Sequence, residues 1–354
     1  MSEFGVYVHI PFCRHRCDYC AFATWTDRDH LMVEYVDAVV LDIQRSVAAG
    51  MPVADTVFFG GGTPTRLAPE LITAIIAAIP LSADAEVTIE CNPDDVTPEL
   101  MQVYAAGGVN RVSIGVQAMV THVLASLGRT HDPSNVEKAV HAARESGISS
   151  INLDLIYGVH GESLEDWRAT LAAAIELAPT HVSAYGLTVE AGTPLADDPA
   201  RHPDDDDQAD KYIMTDDMLS AAGMHNYEIS NWALDGHECR HNKVYWSQGN
   251  YKGFGCASHS HQDGRRYWNV RTPDRYIACV KEDISVEAAD EVLDDETRAR
   301  EALELSLRTT DGVPLGTLDV ETLEGLVSVQ GNRIVLTRQG KLLANEVSLR
   351  LKPR

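Results

Sequence analysis

No uninterrupted apolar run in this chain approaches the length needed to cross a bilayer, so the sequence offers no membrane-spanning helix. A basic, apolar leader ending in small residues is missing as well, because the first strand pattern starts within a few residues of Met1. A cytoplasmic location is the expectation. Basic residues are scarce: 29 Lys and Arg stand against 53 Asp and Glu, a net charge of −24. That balance argues against a nucleic-acid surface, which needs clustered cations, and implies a solvated, self-repelling exterior. Cysteine is sparse too. Of the seven, Cys13, Cys17 and Cys20 are clustered, whereas Cys91, Cys239, Cys256 and Cys279 are scattered. An odd, dispersed set is no secreted disulfide framework and fits a reducing compartment. Cys91 and Cys279 read as small core residues.

What is present is an ordinary globular composition, with 44% apolar and 23% charged residues over 354 positions, enough for one large domain and a small one. Apolar runs at 6–10, 56–59, 86–90, 111–116, 150–156 and 181–187 read as strands. Helical patterns follow them, among them 29–48, 69–79, 133–146 and 164–177. Six strands of this kind, each followed by a helix, predict a parallel sheet wound by right-handed crossovers into a barrel or part of one. Beyond Leu187 the beat changes. Asp204 to Asp207 read as a solvated loop or a helix start, a helix is expected at 208–222 and a short strand at 226–229. Residues 231–268 show little periodicity and read as a loop region over the barrel mouth. Helices at 294–308, 315–326 and 341–351 with a Gly-Asn hairpin at 329–336 predict a small winged-helix-like α+β domain. The expected division is 1–230, the barrel; 231–282, a loop-rich cover; and 283–354, the C-terminal domain.

The chemistry starts at Cys13-x3-Cys17-x2-Cys20, directly after Pro11 closes the first strand. Three thiolates on a short loop suit a [4Fe–4S] cluster and leave its fourth iron open to an external ligand. Zinc is the competing reading, but structural zinc wants four ligands and no second C-x2-C pair exists; His15 or Asp18 would have to complete the set. Cys13, Gly60 to Thr63, Glu90, Gln117 and Asp154 all fall at or just past strand C-terminal ends, the rim where parallel α/β barrels place their sites.

These residues resemble the radical S-adenosylmethionine (SAM) superfamily: the cysteine motif with Tyr19 inside it, and Gly60-Gly61-Gly62-Thr63-Pro64 one strand later. In that family the glycine strip meets the methionine end of SAM, and a side chain there would block the approach. Along its length the chain is similar to the coproporphyrinogen III oxidase-like branch and, within it, to HemW members. The similarity rests on Tyr7 to Cys13, Glu90-Cys91-Asn92-Pro93, Arg111 to Gln117, Leu127 to His131 and Asn152 to Gly158. The resemblance implies a partial (β/α)6 radical SAM barrel, with Cys13, Cys17 and Cys20 holding the cluster. It implies SAM contacts from Tyr7, Gly62, Thr63, Glu90, Gln117, Arg129 and Asp154. A carboxylate suits the ribose hydroxyls or the ammonium, and Arg129 suits a carboxylate. The alternative for Glu90 and Arg129 is a structural ion pair.

Two departures separate the chain from the oxidase. Phe22 stands where the oxidase signature has a further cysteine, and almost nothing precedes Phe4, where the oxidase carries an extension. In favour of the HemW members, His241-Asn242-Lys243-Val244-Tyr245-Trp246 matches their H-N-x-x-Y-W motif. The resemblance implies heme binding by His241, Tyr245 and Trp246, an exposed imidazole for the iron and flat rings for the macrocycle. In the bland alternative, His241 only hydrogen-bonds and the aromatics cover the barrel. Cys239 and His259 are further candidates. The function implied is a heme chaperone delivering heme to client hemoproteins, with contact to a membrane only through such clients and room for a reduced electron donor. The competing functions are an oxygen-independent coproporphyrinogen III oxidase or other radical SAM oxidoreductase, and a zinc-bound interaction protein. Whether SAM is cleaved is left open.

Overall fold

Val6, Val8 and Ile10 are fully buried along β1 (Phe4–Ile10), and Tyr7 and His9 alternate with them on the opposite face. The computed structural model, which describes residues 3–352, repeats this pattern through a series of parallel units. β1 leads to α1 (Met32–Ala48), then β2 (Ala54–Gly61) to α2 (Pro69–Ala78) and β3 (Leu81–Cys91) to α3 (Pro98–Ala106). β4 (Arg111–Gln117) leads to α4 (Thr121–Ser126) and α5 (Ser134–Glu145), and β5 (Ser150–Tyr157) to α6 (Leu164–Glu176). β6 (His181–Gly186) precedes α7 (Asp205–Ala221), which Asp204 caps by accepting from the Asp207 amide. The acidic run is thus a helix start, its charges lying where the helix dipole favours them.

Register explains which residues reach the core. Val6 pairs with Val57 and Val57 with Val87, while Ile89 pairs with Val112 and Val112 with Ile151; all six are buried under the helices. The interleaved row is polar: Glu90 lies beside Ser113, Ser113 beside Asn152, and Asn152 beside His181. Its members bond one another, with the Asn152 amide donating to Ser113 Oγ at 2.7 Å and the His181 ring 2.6 Å from Asn152 Oδ1.

The six expected strands are present, and the sheet continues past them. β7 (His225–Glu228) and β8 (Asn231–Ala233) extend it antiparallel beyond β6. α8 (Arg240–Trp246) then leads to β9 (Asn250–Phe254), which pairs parallel with β1 as a seventh parallel strand. β10 (His259–Gln262) and β11 (Arg265–Asn269), then α9 (Pro273–Lys281) and β12 (Glu287–Val292), complete a twelve-stranded sheet. The stretch expected to be loop-rich therefore holds strands and helices. Tyr, His and Trp occupy both faces there, so no apolar alternation marks β9 to β11 in the sequence.

The C-terminal unit has its own core around Leu307, Val313, Leu323, Ile334 and Val347. α10 (Asp295–Leu307) precedes a three-stranded antiparallel sheet of β13 (Val313–Pro314), β14 (Val327–Gln330) and β15 (Arg333–Leu336). The helix expected at 315–326 is reduced to a 3-10 turn, Glu321–Leu323. Gly316 adopts a left-handed φ of 88° and β13 pairs with β15, which holds the chain out of a helix. The last expected helix is two short ones, α11 (Arg338–Leu342) and α12 (Ala344–Ser348), separated at Leu343 with ψ 27°. Among the described residues no helix is long and apolar enough to cross a membrane.

Candidate functional site

Pro11 ends β1, and the cysteine loop that follows is tied at both ends. The Trp25 amide donates to the Pro11 carbonyl at 2.8 Å and the Cys13 amide to the Trp25 carbonyl at 3.0 Å. Phe12 anchors it from below, edge-on to Tyr35 with centroids 5.4 Å apart. Arg16 forks onto the Cys20 carbonyl, and Arg201 holds Asp18 at 2.9 Å. So braced, Cys13, Cys17 and Cys20 line one cavity of about 760 Å³. Burial pushes the Cys13 and Cys20 thiols up, and the Thr63 hydroxyl, 3.6 Å from Cys13 Sγ, counters it. Among the described residues no three His, Cys, Asp or Glu side chains group around a single metal ion.

The opposite wall of that cavity is built from the polar row. Glu90, Gln117, Arg129 and Asp154 all line it, with Gly62 and Thr63 at the cysteine side. Asp154 is held by Ser113 Oγ at 2.7 Å and Asn152 Nδ2 at 2.9 Å. Glu90 accepts from the Gly61 amide at 3.2 Å. Burial, then the Asp154 charge, raises the Glu90 carboxyl to about 8; burial raises Asp154 as well. The ion pair between Glu90 and Arg129 is not formed. Arg129 instead donates to the Gly115 carbonyl at 2.7 Å and lies 3.7 Å from Cys17 Sγ, leaving its buried Nε without a partner. Two carboxyl groups with no ion-pair partner among the described residues and an incompletely satisfied guanidinium, facing one space beside three thiols, suit a zwitterionic ligand carrying an extra positive charge, which would favour the ionised carboxylates. Gln117 ends β4 with φ 63°, at a register shift against β5 that turns it out of the strand.

The glycines have a reason the sequence did not show. A Cβ on Gly61, whose φ is 109°, would stand 2.4 Å from the His9 ring. One on Gly62 would stand 2.8 Å from the carbonyls of Ile10 and Phe12, which the Gly62 and Thr63 amides grip at 2.8 Å. The strip is bare first because the cysteine loop lies against it. Ser113, Asn152 and His9 were also missed. The first two could have been found as residues on the same face as Gly115 and Asp154.

Tyr7 does not line the cysteine cavity. It faces a second one of about 830 Å³, separated from the first by Ala21 and Phe22, which line both. Burial lowers His9 to about 4, so its ring is neutral; Nε2–H donates to the Ala23 carbonyl and Nδ1 accepts from Tyr7 Oη at 3.0 Å. The exposed imidazole expected at His241 is not found. His241 is fully buried, Nδ1 is 2.8 Å from Thr56 Oγ1, Nε2 is 2.8 Å from Tyr245 Oη, and the ring stacks on Phe58. The cause is Glu86, which accepts from the Arg240 and His241 amides and turns the first residues of α8 inward. Burial lowers His241 to about 3. Tyr245 reaches the second cavity, whereas Trp246 lies under the Arg308 guanidinium. Cys239 is buried, its thiol pushed up to about 12 and 3.7 Å from Glu86, and is equally inaccessible.

A sequence profile of the Radical SAM superfamily matches residues 7–174. Over 366 residues the chain is 38% identical to the heme chaperone HemW of Mycobacterium tuberculosis, covering 98% of this chain and 94% of that protein. It is 34% identical over 369 residues to the heme chaperone HemW of Bacillus subtilis, covering 97% of each. Among solved structures, coproporphyrinogen III oxidase (HemN) from Escherichia coli, a radical SAM enzyme, matches with a TM-score of 0.86 at 23% identity. That match covers 98% of this chain and 89% of that one, and it is a likeness of fold.

Proposed function

Because the chain belongs to the HemW family of the radical SAM superfamily, we propose that it is a heme chaperone that holds a [4Fe–4S] cluster and SAM and passes heme to client hemoproteins. Cys13, Cys17 and Cys20 hold the cluster, with Thr63 beside the Cys13 sulfur. Glu90 and Asp154 take the cationic and hydroxyl parts of SAM, Arg129 its carboxylate, and Gly62, Thr63 and Gln117 its remaining polar edge. Tyr7 acts from the far side, through His9 and Ala23, on the segment that divides the two cavities. Tyr245 meets heme from the second cavity, with His241 holding its hydroxyl and Trp246 packed behind. When bound, the cluster and SAM supply one-electron chemistry; the protein positions them and excludes water.

The observation that supports this reading best is similarity along nearly the whole chain to proteins named heme chaperones, joined to Phe22 in place of a fourth cysteine. Anaerobically reconstituted protein is expected to contain iron and sulfide, to bind heme on titration, and to surrender it to an apo-hemoprotein. The same sample, incubated with dithionite, SAM and coproporphyrinogen III, is expected to release no CO2. Release of CO2 with stoichiometric 5′-deoxyadenosine would replace the chaperone by the oxidase.

A further inference from the structure

Three histidines face the second cavity, and their partners distinguish them. His9 is bonded at both nitrogens, to Tyr7 and Ala23. His261 is bonded at both as well, with Nδ1 2.9 Å from the Gly249 carbonyl and Nε2 accepting from the Gly264 amide at 3.2 Å. His259 is exposed, and among the described residues its ring makes no hydrogen bond; its ordered contact is a stack on Trp268, centroids 5.6 Å apart at 27°. Burial and the nearby Arg266 charge lower its pKa, which keeps the imidazole neutral.

The surroundings have a consistent chemistry. Trp268 and Tyr251 supply flat apolar faces on the strand side, and Leu293 and Leu305 close the space from the C-terminal unit. Phe22, 64% exposed, stands between this cavity and the thiols and lines both spaces. Although the chain is strongly acidic, the cavity carries Arg266 and Arg271 and a single carboxylate, Glu301. Glu301 is already paired with Arg266 at 3.2 Å, whereas Arg271 has no ion pair among the described residues. A flat, apolar slot with one unbonded neutral imidazole and a free guanidinium at its rim fits a planar metallo-tetrapyrrole bearing carboxylates.

We propose that heme is held in this second cavity, with His259 as an axial ligand to its iron, Trp268 and Phe22 against its faces, and Arg271 on a propionate. The assignment rests on the heme-carrying reading above and moves the iron ligand away from His241, whose nitrogens are both occupied. It places the macrocycle next to the cysteine loop, with only Ala21 and Phe22 between.

The test is a hemin titration of reconstituted full-length protein, followed by the Soret band and by electron paramagnetic resonance of the ferric heme. The wild type is expected to show an imidazole-ligated spectrum. His259→Ala should lose that signature and weaken binding about tenfold or more, at unchanged iron and sulfide content. His259→Met should bind with a different, thioether-type spectrum. Arg271→Glu should weaken binding by about fivefold to tenfold with the ligand signature kept. If the wild type binds hemin and His259→Ala keeps both spectrum and affinity, the ligand is elsewhere and this assignment is overturned while the chaperone reading stands. If the wild type binds no hemin, the chaperone reading falls, and this assignment falls with it.

Discussion

Glu90 and Asp154 share one cavity without a cation between them, and that arrangement has a measurable cost in the empty protein. An acid whose folded pKa lies above its unfolded value binds its proton more tightly when folded. Stability from Glu90 is therefore greatest below its ordinary 4.5 and is lost as pH rises toward about 8. A cationic ligand reverses the penalty by favouring the ionised form. Glu90→Gln is thus expected to melt higher than wild type at pH 8 in the cofactor-free state, with the difference shrinking toward pH 5. The same variant should bind SAM about tenfold more weakly. Thermal scans at both pH values and equilibrium dialysis of reconstituted protein check this; identical pH dependence in the two proteins would clear Glu90 of the role. At this scale the convergence of Cys13, Cys17 and Cys20 on one cavity was legible, because it follows from their spacing along one loop. The partners of His241 were not, since Thr56, Phe58 and Glu86 come from two other strands.

The end of β2 and the start of the cysteine loop behave as one element. The amides of Gly62 and Thr63 bind carbonyls of Ile10 and Phe12, and the absence of a side chain at Gly62 allows the contact. Gly62→Ala should force the two segments apart, lowering stability by roughly 1–3 kcal/mol, the usual range for overpacking. Cluster content should fall with it, because Cys13 directly follows Phe12. Urea midpoints and iron and sulfide analysis report the two effects, and a variant with full stability and a full cluster would show the contact to be dispensable. The parallel units could be read from sequence because each strand carries a short row of apolar residues buried under the helices. The strands from β9 to β11 could not, because their polar aromatics face a cavity on one side and neighbouring chain on the other.

Over the whole molecule, a net charge of −24 sets the surface. Exposed ion pairs such as Arg265–Asp290 at 2.9 Å and Arg300–Glu304 at 2.9 Å contribute little each. The uncompensated acidic excess dominates, so screening should stabilise the fold. Raising salt from about 10 mM to about 150 mM, which shortens the screening length from about 30 Å to about 8 Å, should raise the melting temperature by a few degrees; a fall would mean the ion pairs outweigh the repulsion. The family, the parallel framework and the rim positions of Glu90, Gln117 and Asp154 were determined by sequence alone. Each depends on a local motif or on a strand period, and these survive without knowledge of distant neighbours. The burial of His241, the separation of Tyr7 from the thiols and the second cavity were decided only by tertiary structure. That cavity is assembled from β1, the cysteine loop, β9 to β11 and α10, segments whose proximity exists only once the sheet has curled and the C-terminal unit has closed on it.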